Sequence, residues 1–215
     1  MIGTSRVADD FYLVAHEERS GRCLVPSRVV GAGLAAGLVA ELLLSGHLQV
    51  IEGRVFPVPV ESLPGDPVGR GLLDAVYGSR SGRGVADWLT HLSVDAVSDV
   101  RSRLVLDGGL ARTAVRGLLG RRRTVFLSTD PNAAVWPAIR LANELSRGEP
   151  MSPQDIVLAG LVSVTGLLDT VLWLRPDHEP GFARAVEVRR VLPAGLAEVV
   201  AHLEVAVGRT VLAGR

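Results

Sequence analysis

The sequence contains no lysine, only one cysteine and few aromatic residues, which make up 4% of its 215 residues. A lone thiol, Cys23, excludes an intramolecular disulfide and a cysteine-rich metal site, so we expect an inert side chain in the reducing cytosol. All 23 basic side chains are arginines. Codon usage in a GC-rich genome explains this bias, although arginine also suits phosphate recognition better than lysine. The formal net charge is zero.

A long uncharged hydrophobic run is also missing. The N-terminus carries Asp9 and Asp10 ahead of a short apolar stretch, which is the wrong order for a signal peptide. The most apolar segment, residues 156–174, contains Asp169 and two glycines, whereas a membrane-spanning helix needs about 20 mainly uncharged residues. We therefore expect this segment to be a buried helix, and any membrane contact of this cytoplasmic chain to be peripheral.

What the sequence does contain is helical periodicity. Val30, Leu34 and Leu38 recur every fourth residue and predict a helix over 28–45. Ser152 and Pro153 form a start signal for a central helix over 152–174 that is apolar on every side. The same spacing predicts further helices at 68–77, 85–93, 95–107, 131–147, 181–192 and 194–206.

Two segments have the pattern of β-hairpins. Alternating residues on both sides of Glu52-Gly53 predict a hairpin over 48–60, whose second arm, interrupted by Pro57 and Pro59, should lie at an edge. Residues 117–129 predict a second hairpin or a loop. The fold class is therefore mostly α: a single domain, residues 1–215, of helices packed around a central apolar helix, with one or two β-hairpins.

Signatures of catalysis are missing. The glycines form neither a dinucleotide-binding nor a phosphate-binding loop, and no Gly-x-Ser-x-Gly turn is present. We interpret Asp177-His178-Glu179 as a solvated loop, Asp9-Asp10 as cap and first-turn residues of a helix, and Trp88 and Trp173 as core residues. The histidines are dispersed without metal-ligand spacing: His16, His47, His91, His178 and His202. We expect neither enzymatic activity nor a bound metal or cofactor.

Charge is distributed unevenly along the sequence. Between residues 101 and 123 the only acid is Asp107, against seven arginines at 101, 103, 112, 116, 121, 122 and 123. Such segregation favours an anionic partner, either lipid phosphate or nucleic acid, over a solvated face that contacts nothing. Leu118-Leu119 beside Arg121–Arg123 favour a bilayer, because a membrane interface rewards both apolar and basic groups.

The leading hypothesis is a peripheral membrane protein. Lipid head groups would contact Arg101, Arg103, Arg121, Arg122 and Arg123, while Leu118 and Leu119 insert. Two alternatives stay open. A nucleic-acid-binding module of winged-helix type is one, because a helix precedes a hairpin at 28–60. An interaction scaffold is the other, in which the hairpin over 48–60 pairs copies of the chain into a homo-oligomer through an exposed edge.

Six stretches, in this order, resemble the Golgi phosphoprotein 3 family, specifically its short bacterial members. The resemblance covers about residues 8 to 175 and is carried by DDFYLVAHEERSGRCLV, GLAAGLVAELLLSGHLQV, GDPVGRGLLDAV, VADWLTHLS, DVRSRLVLDGGL and IVLAGLVSVTGLLDTVL. It implies a mostly helical fold and a peripheral membrane protein that recognises phosphatidylinositol 4-phosphate. In eukaryotic members it also implies an adaptor for the tails of Golgi membrane enzymes, and oligomerisation through a hairpin.

The resemblance also implies where the lipid binds. The family's apolar loop, which enters the bilayer beside the lipid pocket, corresponds to residues 117–127. One pocket arginine of the family falls on Arg101, while the other three pocket positions fall on Ser98, Pro26 and Ala35 and so depart from the eukaryotic pattern. We therefore expect binding of anionic lipid without a full phosphatidylinositol 4-phosphate pocket.

Overall fold

The computed structural model describes residues 6–79, 82–116, 122–174 and 178–213. These residues form a mostly α-helical single domain with ten helices and two small antiparallel sheets, which confirms the predicted fold class. The helices are α1 (Val7–Ala15), α2 (Ser27–Leu44), α3 (Pro67–Gly78), α4 (Val85–Leu92), α5 (Ala96–Leu106), α6 (Pro131–Arg147), α7 (Pro153–Val164), α8 (Leu168–Leu172), α9 (Glu179–Arg190) and α10 (Ala194–Ala213). The strands are β1 (Leu48–Ile51), β2 (Arg54–Pro57), β3 (Arg83–Gly84), β4 (Leu110–Arg116) and β5 (Arg122–Ser128).

Two apolar helices share the centre of the domain, where the sequence predicted one. α7 contacts α1, α2, α9 and α10, and α2 contacts α1, α4, α5, α7 and α10. Twelve of the 18 residues of α2 are buried. By length and composition α2 is also the one described helix apolar enough to cross a membrane, but 67% of it is buried within the domain, as in a core helix.

Close approach of α1 to α2 depends on glycine. An added Cβ at Gly33 would lie 2.3 Å from the Phe11 ring, and one at Gly37 would lie 3.0 Å from the Cα of Ala8. Because these glycines lie one turn apart, they form a groove on α2 into which α1 packs. This groove makes α2 a core helix, so its helix–hairpin unit lacks the exposed recognition helix of a winged-helix module.

The predicted central helix over 152–174 begins as expected but is interrupted. The Ser152 hydroxyl accepts a hydrogen bond from the Asp155 N–H at 3.1 Å and so caps α7. α7 ends at Val164, because Gly166 adopts a left-handed conformation with φ 78° that ends helices. Only the short α8 follows, and Trp173 at its C-terminal end is 69% exposed. The prediction of Trp173 as a core residue is therefore wrong, whereas Trp88 is buried as predicted.

The hairpin of β1 and β2 turns at Glu52-Gly53, as predicted, with both residues at positive φ. The prediction that its second arm lies at an edge is wrong. Strand β3 pairs with Arg54 and Val55, so β2 is the middle strand in the order β1-β2-β3. The β2–β3 pairing covers Arg54 and Val55, while Pro57 pairs with Leu48 of β1. The outer strands of the sheet are therefore β1 and the two-residue β3.

The second hairpin, β4–β5, starts earlier than the predicted 117–129. Seven pairs join the strands, from Leu110 opposite Ser128 to Arg116 opposite Arg122. The hairpin packs against α5 through β4 and against α6 through β5. Its tip, residues 117–121, lies outside the described residues and includes the predicted insertion residues Leu118 and Leu119 and the predicted head-group ligand Arg121.

Candidate functional site

The β4–β5 hairpin presents a basic surface. Arg112, Arg122 and Arg123 are exposed, and the stretch 110–128 contains no acidic residue. In the described part of the chain, no carboxylate forms an ion pair with any of these three guanidinium groups. The hairpin therefore carries uncompensated positive charge.

Arg101 on α5 adds a fourth cation beside the hairpin. Its guanidinium carbon lies 4.4 Å from the centroid of the Phe126 ring of β5, a cation–π contact. Arg101 is half-buried, and no carboxylate of the described ranges pairs with it. Arg101 of α5 and the basic hairpin therefore lie on the same side of the molecule.

Arg103 does not belong to this surface. Its side chain is 2% exposed and its guanidinium donates to Glu41 at 2.9 and 3.0 Å, to Asp9 at 2.9 Å and to Asp66 at 3.3 Å. We therefore correct the predicted set of lipid ligands by removing Arg103. Residues two apart on a helix point in different directions, and so Arg101 faces the hairpin while Arg103 faces the interior.

The carboxylates around Arg103 form a buried charge cluster that ties α1, α2 and α3 to α5. Burial raises the pKa of both Asp9 and Glu41, and the attraction of Arg103 only partly offsets this rise. Burial also acts to raise the pKa of Asp66, but the Gly69 N–H and Arg103 outweigh it and leave this pKa lowered. Arg103 therefore offsets negative charge that these carboxylates carry in the interior of the domain.

Arg6 belongs to the same cluster and also binds Asp107, the one acid among residues 101–123. It pairs with Asp9 at 2.7 Å and also with Asp107. Asp9 is thus an ion-pair partner in the first turn of α1, and the predicted capping role is not seen, because the N-cap residue Arg6 makes no side-chain capping bond. With Asp107 bound to Arg6, the hairpin arginines have no acidic neighbour within their own segment.

A second ion cluster lies between α1, α6 and α7. Arg140 donates to Asp10 at 2.7 Å and to Asp155 at 2.6 Å. Glu144, one turn further along α6, is buried, and its Oε2 has no hydrogen-bond partner. Burial, together with the nearby Asp155, raises the pKa of Glu144 to about 7. This carboxyl group therefore gains or loses a proton near neutral pH.

An apolar cavity of about 330 Å³ lies beside the hairpin. Its walls come from α1, the 17–24 segment, both strands of the hairpin, α6 and α8, and include Tyr12, Leu13, Leu110, Phe126, Ala138 and Val171. Phe126 thus belongs both to the cavity wall and to the Arg101 contact. Sequence reasoning did not find this cavity, because its wall residues come from elements far apart along the chain.

The remaining predicted positions fall as follows. Ala35 is fully buried, Pro26 is exposed at the start of α2, and Ser98 is exposed one turn before Arg101. Asp177 lies outside the described residues, while His178 stacks on Trp173 with ring centroids 4.4 Å apart. No group of three or more described His, Cys, Asp or Glu side chains is arranged to hold a metal ion.

Fold and site together define a class of protein: a helical domain, built on two buried apolar helices, that projects a basic β-hairpin. The chain belongs to the Golgi phosphoprotein 3 (GPP34) family, whose model matches residues 7–203. A comparison with curated proteins finds no match. Family membership confirms the resemblance drawn from the six sequence stretches.

Proposed function

We propose that this chain is a peripheral membrane protein that docks from the cytoplasm on anionic phospholipid head groups. Arg101 and Arg121–Arg123 contact lipid phosphates, and Leu118-Leu119 insert among the acyl chains. The observation that carries the proposal is the contact of Arg101 with Phe126, which joins the cation of α5 to the basic hairpin.

The magnitudes favour reversible docking. Each arginine near an anionic surface contributes up to about 1 kcal/mol before screening, and a fully buried leucine contributes about 1.5–3 kcal/mol. Neither contribution alone anchors a domain, because association itself costs translational and rotational freedom. Charge and insertion together give binding that depends on lipid composition and weakens with salt.

Head-group selectivity is the finer part of the proposal. Family membership supports phosphatidylinositol 4-phosphate as a ligand. Of the four family pocket positions, however, Arg101 is the only arginine, and Ala35 is buried out of reach of lipid. We therefore expect phosphatidylinositol 4-phosphate and phosphatidylserine to be bound with similar affinity at equal charge density.

Vesicle flotation tests the proposal. We compare neutral phosphatidylcholine vesicles with vesicles that also contain phosphatidylserine or phosphatidylinositol 4-phosphate. The double variant Arg122→Gln/Arg123→Gln should weaken binding to anionic vesicles by up to about thirtyfold, since it removes up to about 2 kcal/mol. The control Arg190→Gln/Arg209→Gln removes the same charge from exposed positions on α9 and α10 and should have a small effect.

Two outcomes would overturn the proposal. Equal recovery of the wild-type protein with neutral and anionic vesicles would remove the lipid claim. Equal losses in the two double variants would show that overall charge matters and that the hairpin does not.

A further inference from the structure

The cavity beside the hairpin is lined by apolar side chains of α1, α6, α8 and the two hairpin strands, and it opens at the surface. Three large apolar residues at its rim, Leu24, Ile139 and Leu174, are 39%, 36% and 54% exposed. Its volume, about 330 Å³, is at the lower end of the range of roughly 300–1,000 Å³ for ligand sites. Apolar walls of this kind favour a narrow apolar ligand over water.

The positive charge of Arg101 lies beside one part of the cavity wall. The Arg101 guanidinium stacks on Phe126, and its charge also reaches Tyr12 and His16, two further wall residues. Burial is the main reason that the pKa of His16 is lowered, and Arg101 lowers it further. A negative group at this end of the cavity would therefore lie close to a cation that no described carboxylate pairs with.

The cavity also excludes ligands that are negative along their whole length. Glu17 and Glu18 border it, and Glu17 is bound by Ser20 and lies 3.8 Å from the Nε of Arg22. Only a ligand with one anionic end and a long apolar body satisfies both the guanidinium and the remaining walls.

We propose that this cavity takes one acyl chain of an anionic membrane phospholipid, whose phosphate lies at Arg101. This inference rests on the proposed function and deepens it, because the same hairpin that meets the bilayer forms part of the cavity wall. The head group is then held by Arg101 and the hairpin, while the chain replaces water against Leu110, Phe126 and Val171.

A soluble probe tests the cavity separately from the bilayer. Lysophosphatidic acids with chains of 8, 10 and 12 carbons, each below its critical micelle concentration, are titrated into the full chain by calorimetry. Each buried methylene is expected to strengthen binding by up to about fourfold. Lysophosphatidylcholine with the same chains should bind at least tenfold more weakly, and Arg101→Gln should reduce this preference.

Two variants block the cavity from opposite walls. Ala138→Phe fills it from α6, and Thr170→Trp fills it from α8 at an exposed position that tolerates a large side chain. Both should weaken probe binding at least tenfold. Ala133→Phe, an exposed position on α6 outside the cavity wall, is the matched control and should bind like the wild-type protein.

The inference fails if no lysophosphatidic acid binds, if affinity is independent of chain length, or if Thr170→Trp binds as well as Ala133→Phe. Equal binding of the neutral and anionic probes would also overturn it. These failures leave vesicle flotation and its dependence on Arg122 and Arg123 intact, so they are distinguishable from failure of the proposed docking function.

Discussion

Replacement of Arg103 by methionine tests the assignment of this residue to the interior. Methionine keeps most of the buried volume but leaves Asp9, Glu41 and Asp66 without their shared cation. Removal of one partner of a buried ion pair costs about 3–5 kcal/mol, because the remaining charge is left uncompensated. We expect the free energy of unfolding at pH 7 to fall by this amount.

The pH dependence identifies the cause. Burial already raises the pKa of Asp9 and Glu41 in the folded protein, and loss of Arg103 should raise both further. A raised carboxyl pKa means that the folded state binds more protons than the unfolded state, so stability increases as pH falls from neutral toward the unfolded pKa near 4. The deficit of Arg103→Met should therefore shrink between pH 7 and pH 5.

Urea unfolding followed by circular dichroism measures both effects. The control is Arg189→Met, which breaks the exposed pair with Glu204 at 2.6 Å and should cost no more than about 1 kcal/mol. If Arg103→Met costs as little as this control, or if its deficit does not change with pH, the buried charge cluster is not stabilising in the way described. Folded Arg103→Met should still float with anionic vesicles.

Three further predictions concern packing, protonation and assembly. Gly33→Ala should destabilise the domain by about 1–3 kcal/mol in the same urea assay, because its Cβ would lie 2.3 Å from the Phe11 ring. The control Gly71→Ala, whose added Cβ would meet no described atom within 4 Å, should be neutral or stabilising. Burial raises the pKa of Glu144 to about 7, so its cost to stability builds up as pH rises from the unfolded pKa near 4 to about 7 and is complete above that. Glu144→Gln should therefore gain about 1–3 kcal/mol on the wild-type protein at pH 8 and clearly less at pH 5, and an equal gain at both would refute the titration. For assembly, we propose that copies of the chain pair through the 48–60 hairpin at the outer edge of β1. Ile51→Lys, at an exposed position of this strand, should lower the mass measured by light scattering. An unchanged mass would count against this interface.

Local signals in the sequence were sufficient for much of the secondary structure. Ser152-Pro153 marks the start of α7, and Glu52-Gly53 marks the first turn, because each depends on residues within a few positions. The break at Gly166 was missed, since a glycine within a strongly apolar run does not by itself reveal a left-handed backbone.

The candidate site was only partly predictable. The basic hairpin follows from its composition, but the exclusion of Arg103 depends on Glu41 and Asp9, which come from distant segments. Two signals could have revealed it. Arg101 and Arg103 lie two residues apart on a helix, about 200° around its axis, and Glu41 is an isolated acid in an apolar helix, which requires a buried cation.

The central claim, that the basic hairpin enters an anionic bilayer, is tested most directly by depth-dependent fluorescence quenching. After Cys23→Ser, a single environment-sensitive label is attached to a cysteine introduced at Leu119 or, as a control, at Arg190 on α9. The account predicts that brominated lipids in phosphatidylserine vesicles quench the label at 119 and leave the label at 190 unchanged. A label at 119 that stays in water while the protein is bound to the vesicles would contradict it.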